Sequence, residues 1–544
     1  MIDAFQLVFL LLLCFFIVLG FYTKTQRFSL NPILFWTFFG LVIVYILVSR
    51  LLYLDQLPGG LNQDEAAIGY DAWALATYGI DRNGYTFPIL PMSWGSGAGG
   101  FIIYLGSFLF RVIPLTVYTL RLSNALVQLA TLLAFFLFLK RFFNKEVALI
   151  GLAYLAISPW HFMLSRWNLD ANQVFSLILI GLYLSSIGFE KHKKRFHLLG
   201  LTFFSLAMYS YGSGIIVVPL LLIILYGKAW LDKKFTFRDL VIYGSFTTLL
   251  SLPLIAFYII NTYQLPAIVT PFFSIPLFNV LRSNSVILPF DEFFFAKAWE
   301  NLRDTLIYLS TGKGDWLWNQ LPGYGIAFLF TFPLLLVGLI TQRNQVKSLP
   351  FYAWFIVSFL FSLVLYQNTN RMGVLFLPMI YFHVQGLAWL IQKSSLVWIP
   401  PFGLIATASV LFHISYSTSY ANDIKSYFAY GYEQAIKFAL SLEKTEYYLP
   451  SQNQVNGSHV IALFFIQPDP HDVVETGIYL NPGAEFQYLS EFESNDIMYR
   501  FQDPQVNQNL TETMVFITKI NFQSYFVNNN YEINAFSNFI VIYC

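Results

Sequence analysis

Long apolar stretches alternate along this chain with short polar connections, many of them basic. The apolar runs fall at residues 5–22, 32–54, 121–140, 147–164, 172–189, 196–211, 213–230, 238–260, 323–341, 350–366, 372–392 and 396–415. Each is close to the roughly 20 residues that an α-helix needs to cross the hydrocarbon of a bilayer. The pattern therefore predicts an α-helical polytopic membrane protein of about twelve spans. One more apolar stretch, 98–114, opens on Gly95, Gly97, Gly99 and Gly100 and closes on Pro114. It is expected to be a re-entrant or interfacial helix. After residue 415 the pattern shifts to Asn, Gln, Asp, Glu and Ser, with a helical stretch near 422–443 and short β-type runs at 460–466, 513–518 and 539–543. This predicts a membrane part, 1–415, followed by a small external α/β domain, 416–544.

The basic residues orient the spans. Lys24 and Arg27; Lys140, Arg141 and Lys145; Lys191, Lys193, Lys194 and Arg195; Lys228, Lys233, Lys234 and Arg238; and Arg343 and Lys347 fall on one side of a twelve-span arrangement. Short cytoplasmic loops hold such an excess, which makes that side the cytoplasm. Counting 98–114 as a full span would put the clusters around Lys140 and Lys193 on the wrong face. Three long segments are then outside: 55–120, 261–322 and everything after about 416. Long segments of this kind commonly carry function. The first apolar run has no basic flank before it and no small-residue cleavage site after it, so it reads as a retained span.

Composition narrows the classes. Hydrophobic residues make up 57% and charged residues 11%, against about a quarter charged in a soluble protein, which excludes a soluble fold. Lys plus Arg is 31 and Asp plus Glu is 30, so the chain lacks the basic excess of a nucleic-acid partner. Cys14 lies in an apolar run and Cys544 is the last residue. Neither a disulfide framework nor a thiolate metal site is indicated.

Candidate chemistry gathers in the outer segments. Asp64 and Glu65 are adjacent carboxylates just beyond the second span, in Asn62-Gln63-Asp64-Glu65-Ala66-Ala67-Ile68-Gly69-Tyr70. Such a pair suits proton transfer from an acceptor hydroxyl, with the neighbour holding geometry or a cation. The plainer reading is a helix N-terminus, where acidic side chains favour the macrodipole. A second cluster, Ser158 to Asp170, contains Arg166 and Asp170 four apart, either a surface ion pair on one helix face or contacts to a phosphate and a sugar. His161 in the same cluster reads as a packing residue. A third, Asn368-Thr369-Asn370-Arg371, places an arginine at the outer start of a span. Its planar, always-charged fork suits a lipid-linked phosphate, and anchoring at the interface is the alternative. Lys313 and Asp315, in Gly312-Lys313-Gly314-Asp315-Trp316, are secondary candidates without the spacing of a phosphate-binding loop.

In their order, Gln63-Asp64-Glu65-Ala66, Gly69-Tyr70-Asp71-Ala72, Thr77 to Gly84, Arg121-Leu122-Ser123, Ser158-Pro159, Ser165-Arg166, Gly314-Asp315, Asn370-Arg371, Pro378 and Gly386 resemble the GT-C glycosyltransferases. They are most similar to the branch of dolichyl-phosphate-mannose protein mannosyltransferases and lipid A aminoarabinose transferases, over roughly 30–415. The resemblance implies an inverting glycosyltransferase that moves a sugar, a hexose or a pentose, from a polyprenyl-phosphate donor to a protein, lipid or envelope glycan outside the membrane. It implies Asp64 as the base and Glu65 as its neighbour, Arg166 and Asp170 near the donor, and Arg371 at the carrier phosphate, with Tyr70 and Asn370 as further candidates. Members differ in whether they need a divalent cation, so a cofactor, with Asp64 and Glu65 as ligands, stays open. A transporter of lipid-linked sugars fits less well, since the chain shows no repeated halves and no charged helices near the midplane. A non-catalytic scaffold would explain the C-terminal part but not three charged clusters on one face.

Overall fold

The computed structural model describes residues 4–26, 28–95, 97, 99–281, 287–311, 313–366, 368–526 and 531–544; Arg27 and Gly312 lie outside the described residues. Helices occupy all twelve apolar segments. They are α1 (Ala4–Tyr22), α2 (Pro32–Leu51), α5 (Val117–Phe142), α6 (Lys145–Ile157), α8 (Val174–Lys191), α9 (Lys194–Ser210), α10 (Gly212–Leu231) and α11 (Phe237–Tyr263), then α13 (Phe332–Gln342), α14 (Leu349–Leu363), α15 (Thr369–Ile391) and α16 (Ser395–Ser415). Among the described residues nine helices are long and apolar enough to cross a bilayer. The segments at 147–164, 196–211 and 323–341 hold shorter ones. The first of these breaks at Ser158-Pro159, where Ser158 is extended and proline has no N–H to continue the ladder.

Four further helices precede or interrupt the spans: α3 (Gln63–Thr77), α4 (Gly100–Phe110), α7 (Pro159–Leu164) and α12 (Phe294–Thr311). The stretch read at 98–114 is α4, eleven residues long. At about 1.5 Å per residue it is too short to span, and it packs on α3 and α9.

The basic clusters meet on one face of the molecule. Arg141 pairs with Glu190 at 2.6 Å and Lys194 with Asp239 at 2.7 Å. Lys347 sits 4.0 Å above the Phe143 ring, Lys145 lies over Phe35, and Lys393 donates to the Thr23 carbonyl.

After α16 come α17 (Tyr432–Leu440), α18 (Ser458–Ile466) and α19 (Pro470–Thr476), with strands β3 (Glu446–Leu449), β4 (Ile478–Tyr479), β5 (Leu489–Ser494), β6 (Ile497–Phe501), β7 (Met514–Lys519), β8 (Glu532–Phe536) and β9 (Phe539–Tyr543). A two-stranded pair, β1 (Ile268–Val269) and β2 (Ser274–Ile275), lies earlier, in the segment between α11 and α12. The C-terminal strands form one sheet in the order β4-β5-β6-β3-β7-β9-β8, with β3 parallel to both β6 and β7. The strands expected at 513–518 and 539–543 are present as β7 and β9. The run at 460–466, read as a strand, is instead helix α18, and the helical stretch expected near 422–443 is divided between the helical turns that extend α16 to Ser426 and helix α17. A wholly apolar run of this length fits either structure; packing decides it. α18 lies against α3, so closely that a side chain at Gly69 would meet the Phe464 ring at 2.5 Å. Ala66, Tyr70, Ile102 and Leu120 share a single core with Tyr432, Phe464, Val515 and Val541.

Candidate active site

α3 begins with Asn62, whose side-chain oxygen accepts from the Asp64 N–H at 2.9 Å. Glu65 closes a capping box from the third helical position, an arrangement that satisfies N–H groups left over at a helix start. The Glu65 carboxylate does more than cap. It accepts from Arg121 Nε at 2.9 Å, from Arg121 Nη2 at 2.8 Å and from the Asn168 N–H at 2.8 Å. Both side chains of the pair are fully buried. The remaining Arg121 donors reach the carbonyls of Leu54, Pro58 and Gly60 at 2.6–2.8 Å. One ion pair thus ties together the 54–60 turn, the start of α3, the start of α5 and the chain at 168.

Asp64, next to it, is half-buried and points elsewhere: its Oδ1 accepts from the Trp94 indole N–H at 3.3 Å. Trp94 belongs to the glycine-rich segment before α4. The far end of that segment is held by Asp170, whose Oδ2 accepts from the Gly99 N–H at 2.8 Å. Gly99 permits this approach, because a Cβ there would lie 1.6 Å from the Ser210 carbonyl oxygen. Trp94 and Gly99 are thus each held by an aspartate, Asp64 and Asp170 respectively.

Beyond Gly99 lies a cavity of about 280 Å³. Asp170, Gly97, Gly99 and Arg371 line it together with apolar walls that include Ile215, Phe257, Phe278 and Leu365. Arg371 is half-buried, and its Nη1 donates to the Tyr366 carbonyl at 2.9 Å. Its helix, α15, is positioned by Asp315, which accepts from the Thr369 N–H at 2.5 Å and from the Trp316 N–H at 2.7 Å. Two residues singled out near the donor, Asp170 and Arg371, line this one cavity although 201 positions separate them in the chain.

Arg166 is placed differently. The chain at 166–169 is not helical, so Arg166 and Asp170 share no helix face, which corrects that reading. Its guanidinium is buried and donates to the carbonyls of Ser49, Leu52, Tyr53 and Leu57, closing the C-terminal end of α2. Tyr70 is buried and donates to the Pro468 carbonyl at 2.9 Å, an anchor to the C-terminal sheet unit. Asn370 lines a small crevice with Trp160, Trp167 and Asn172, and Lys313 is exposed. Among the described residues no group of three or more His, Cys, Asp or Glu could hold a metal ion, and Glu65 is committed to Arg121.

Sequence reading assigned no role to the partners Arg121, Trp94 and Asn168, although Arg121-Leu122-Ser123 stood among the residues of the resemblance. A signal existed for Arg121, since an arginine within a long apolar helix is costly unless paired.

A second buried charge cluster stands beside α3. Asp71 lies 3.7 Å from Arg82, whose Nη2 donates to Ser93 at 3.2 Å. Asp81 Oδ1 accepts from the N–H groups of Asn83 and Tyr85 at 2.9 and 3.0 Å. Burial and the neighbouring Asp71 push the Asp81 carboxyl up to about 7, and burial also raises Asp71, opposed by Arg82. A carboxyl raised on folding gives stability that is present below its unfolded value of about 3.9 and lost as pH rises through its folded value. The apparent unfolding temperature of wild type is therefore expected to fall between about pH 5 and about pH 8. Asp81→Asn should flatten that fall by on the order of a few degrees; thermal unfolding of the purified protein at both pH values checks it, and parallel profiles for the two proteins would refute it.

Residues 99–260 match the family model described as dolichyl-phosphate-mannose-protein mannosyltransferase. The structure also superposes on ArnT from Cupriavidus metallidurans in the apo state, with TM-score 0.54 at 12% identity, over 93% of this chain and 97% of that one. Together these define the class: a polytopic membrane protein with the GT-C fold of glycosyltransferases. Within it the chain resembles the branch of the protein mannosyltransferases and ArnT. ArnT bound to undecaprenyl phosphate matches at TM-score 0.54 and 13% identity over the same shares. The apo oligosaccharyltransferase from Archaeoglobus fulgidus gives TM-score 0.43 at 14% identity, over 79% of this chain and 59% of that one. No curated protein sequence matches the chain.

Proposed function

We propose that this protein is an inverting glycosyltransferase taking a sugar from a polyprenyl-phosphate donor and passing it to a hydroxyl-bearing acceptor on the extracytoplasmic side. The observation that carries the reading is the cavity that Asp170 and Arg371 both line, its other walls apolar. A prenyl chain fits the walls, a phosphate fits the guanidinium, and a sugar hydroxyl fits Asp170. That ArnT of the same fold was solved with undecaprenyl phosphate supports the choice of donor. The basic clusters on the opposite face support the side assigned to the site.

In this reading Asp64 takes the proton from the acceptor hydroxyl as its oxygen attacks the anomeric carbon from the side opposite the phosphate. The bond from that carbon to the phosphate oxygen breaks, and its electron pair leaves with the polyprenyl phosphate. Arg371 stabilises the charge that develops there. Glu65 and Arg166 hold the frame, and Asp315 positions the helix that carries Arg371. The membrane part, 1–415, supplies these groups, and the unit after 416 supplies the wall on which α3 rests.

Arg371→Gln tests the donor half. Equilibrium binding of a radiolabelled polyprenyl-phosphate sugar to the purified protein in lipid nanodiscs should weaken about tenfold to a hundredfold, the scale of a lost hydrogen bond to a charged group. Unchanged binding would remove Arg371 from the phosphate site.

A further inference from the structure

On the face that carries the basic clusters, α5, α8, α10 and the start of α14 enclose a separate cavity of about 570 Å³. Its inner walls are apolar: Phe138, Phe142, Leu182, Phe189, Leu225 and Leu349. Three lysines line it, Lys228, Lys234 and Lys347, and two acids, Glu190 and Asp232. Both acids are already engaged, Glu190 by Arg141 at 2.6 Å and Asp232 by Lys228 one helical turn away. Lys234 and Lys347 are left without an ion pair among the described residues, and the Lys347 ammonium rests 4.0 Å above the Phe143 ring. Greasy walls running in from a mouth with two uncompensated cations describe a molecule with an anionic head and hydrocarbon tails.

We propose that this cavity binds an anionic phospholipid, its phosphate between Lys234 and Lys347 and its acyl chains along the phenylalanine and leucine walls. Its place at the basic end of the spans sets the headgroup at membrane-surface depth, where basic pockets between helices attract acidic lipids. A zwitterionic lipid brings its own cation to the same point and leaves the lysines uncompensated. The inference rests on the cavity and its charges, independently of the transfer reaction.

The test is lipid retention. Full-length protein is equilibrated in mixed micelles holding equal phosphatidylglycerol and phosphatidylcholine, then stripped of loose lipid, and the bound lipid is counted by mass spectrometry. Wild type should keep phosphatidylglycerol over phosphatidylcholine by about thirtyfold, taking roughly 1 kcal/mol for each of the two lysines as the guide. Lys234→Ala with Lys347→Ala should abolish the preference. Lys24→Ala with Lys193→Ala, which removes equal charge away from the cavity, should preserve it. Equal retention of both lipids by wild type, or equal loss in the two double variants, would overturn the site. Release of the phosphatidylglycerol by inorganic phosphate alone would overturn it in favour of a soluble anion.

Discussion

Asp64→Asn is expected to slow sugar transfer about 10²- to 10⁴-fold, the usual worth of a positioned general base, while donor binding stays within about twofold of wild type. The substitution is a clean one. Asparagine keeps the shape, its Oδ1 still accepts from the Trp94 indole, and the Asn62 cap reaches the backbone N–H rather than the side chain. What disappears is the carboxylate's charge and with it the capacity to take a proton. Two measurements on the same preparation decide the matter: turnover of labelled polyprenyl-phosphate sugar, and its equilibrium binding. Turnover at the wild-type rate would mean that Asp64 is not the base. Lost turnover with lost binding would point to a collapsed site.

The second large effect is on stability. Arg121→Met should lower it by about 3–5 kcal/mol, the cost of leaving a buried charge without its partner. Glu65 would keep only backbone donors, from Asn168 at 2.8 Å and Asn62 at 3.4 Å. The carbonyls of Leu54, Pro58 and Gly60 would each lose the donor that Arg121 supplies. Glu65→Gln should cost a comparable amount, because it leaves the buried Arg121 guanidinium without its anion and sets an amide NH2 against a donor, both Glu65 oxygens being acceptors here. Unfolding midpoints against a denaturing detergent rank the three proteins. Equal midpoints for wild type and Arg121→Met would show that the pair does not hold the fold. Transfer activity of Arg121→Met should fall as well, since this pair sets where Asp64 stands.

The apolar segments were legible as helices because a helix that crosses a bilayer must satisfy its backbone internally and cover its length with apolar side chains; nine of the described helices are long and apolar enough to do so. The segment at 98–114 was legible as an exception through its glycines and Pro114, and it is the short α4. Val460 to Ile466 was not legible. Its side chains suit a strand and a buried helix alike, and only the groove beside Gly69 selects the helix. Within the site, residue type and outer placement pointed to Asp64, Asp170 and Arg371. They did not separate these from Glu65 and Arg166, which look equally chemical on paper. The difference lies in where five guanidinium N–H groups go: Arg166 directs its bonds to the end of α2, whereas Arg371 reaches one carbonyl and faces a cavity. Partners that distant in sequence leave no local pattern.

The core shared by α3, α4 and the C-terminal sheet also sets a timetable. Translation makes α3 almost at once, but the surfaces it rests on, Phe464 and the strands behind it, come nearly 400 residues later. At about 5–20 residues per second, the helix bearing Asp64 spends some tens of seconds without its support. A nascent chain with all its spans inserted still lacks the wall on which α3 rests, and that core closes only when the last strands are made.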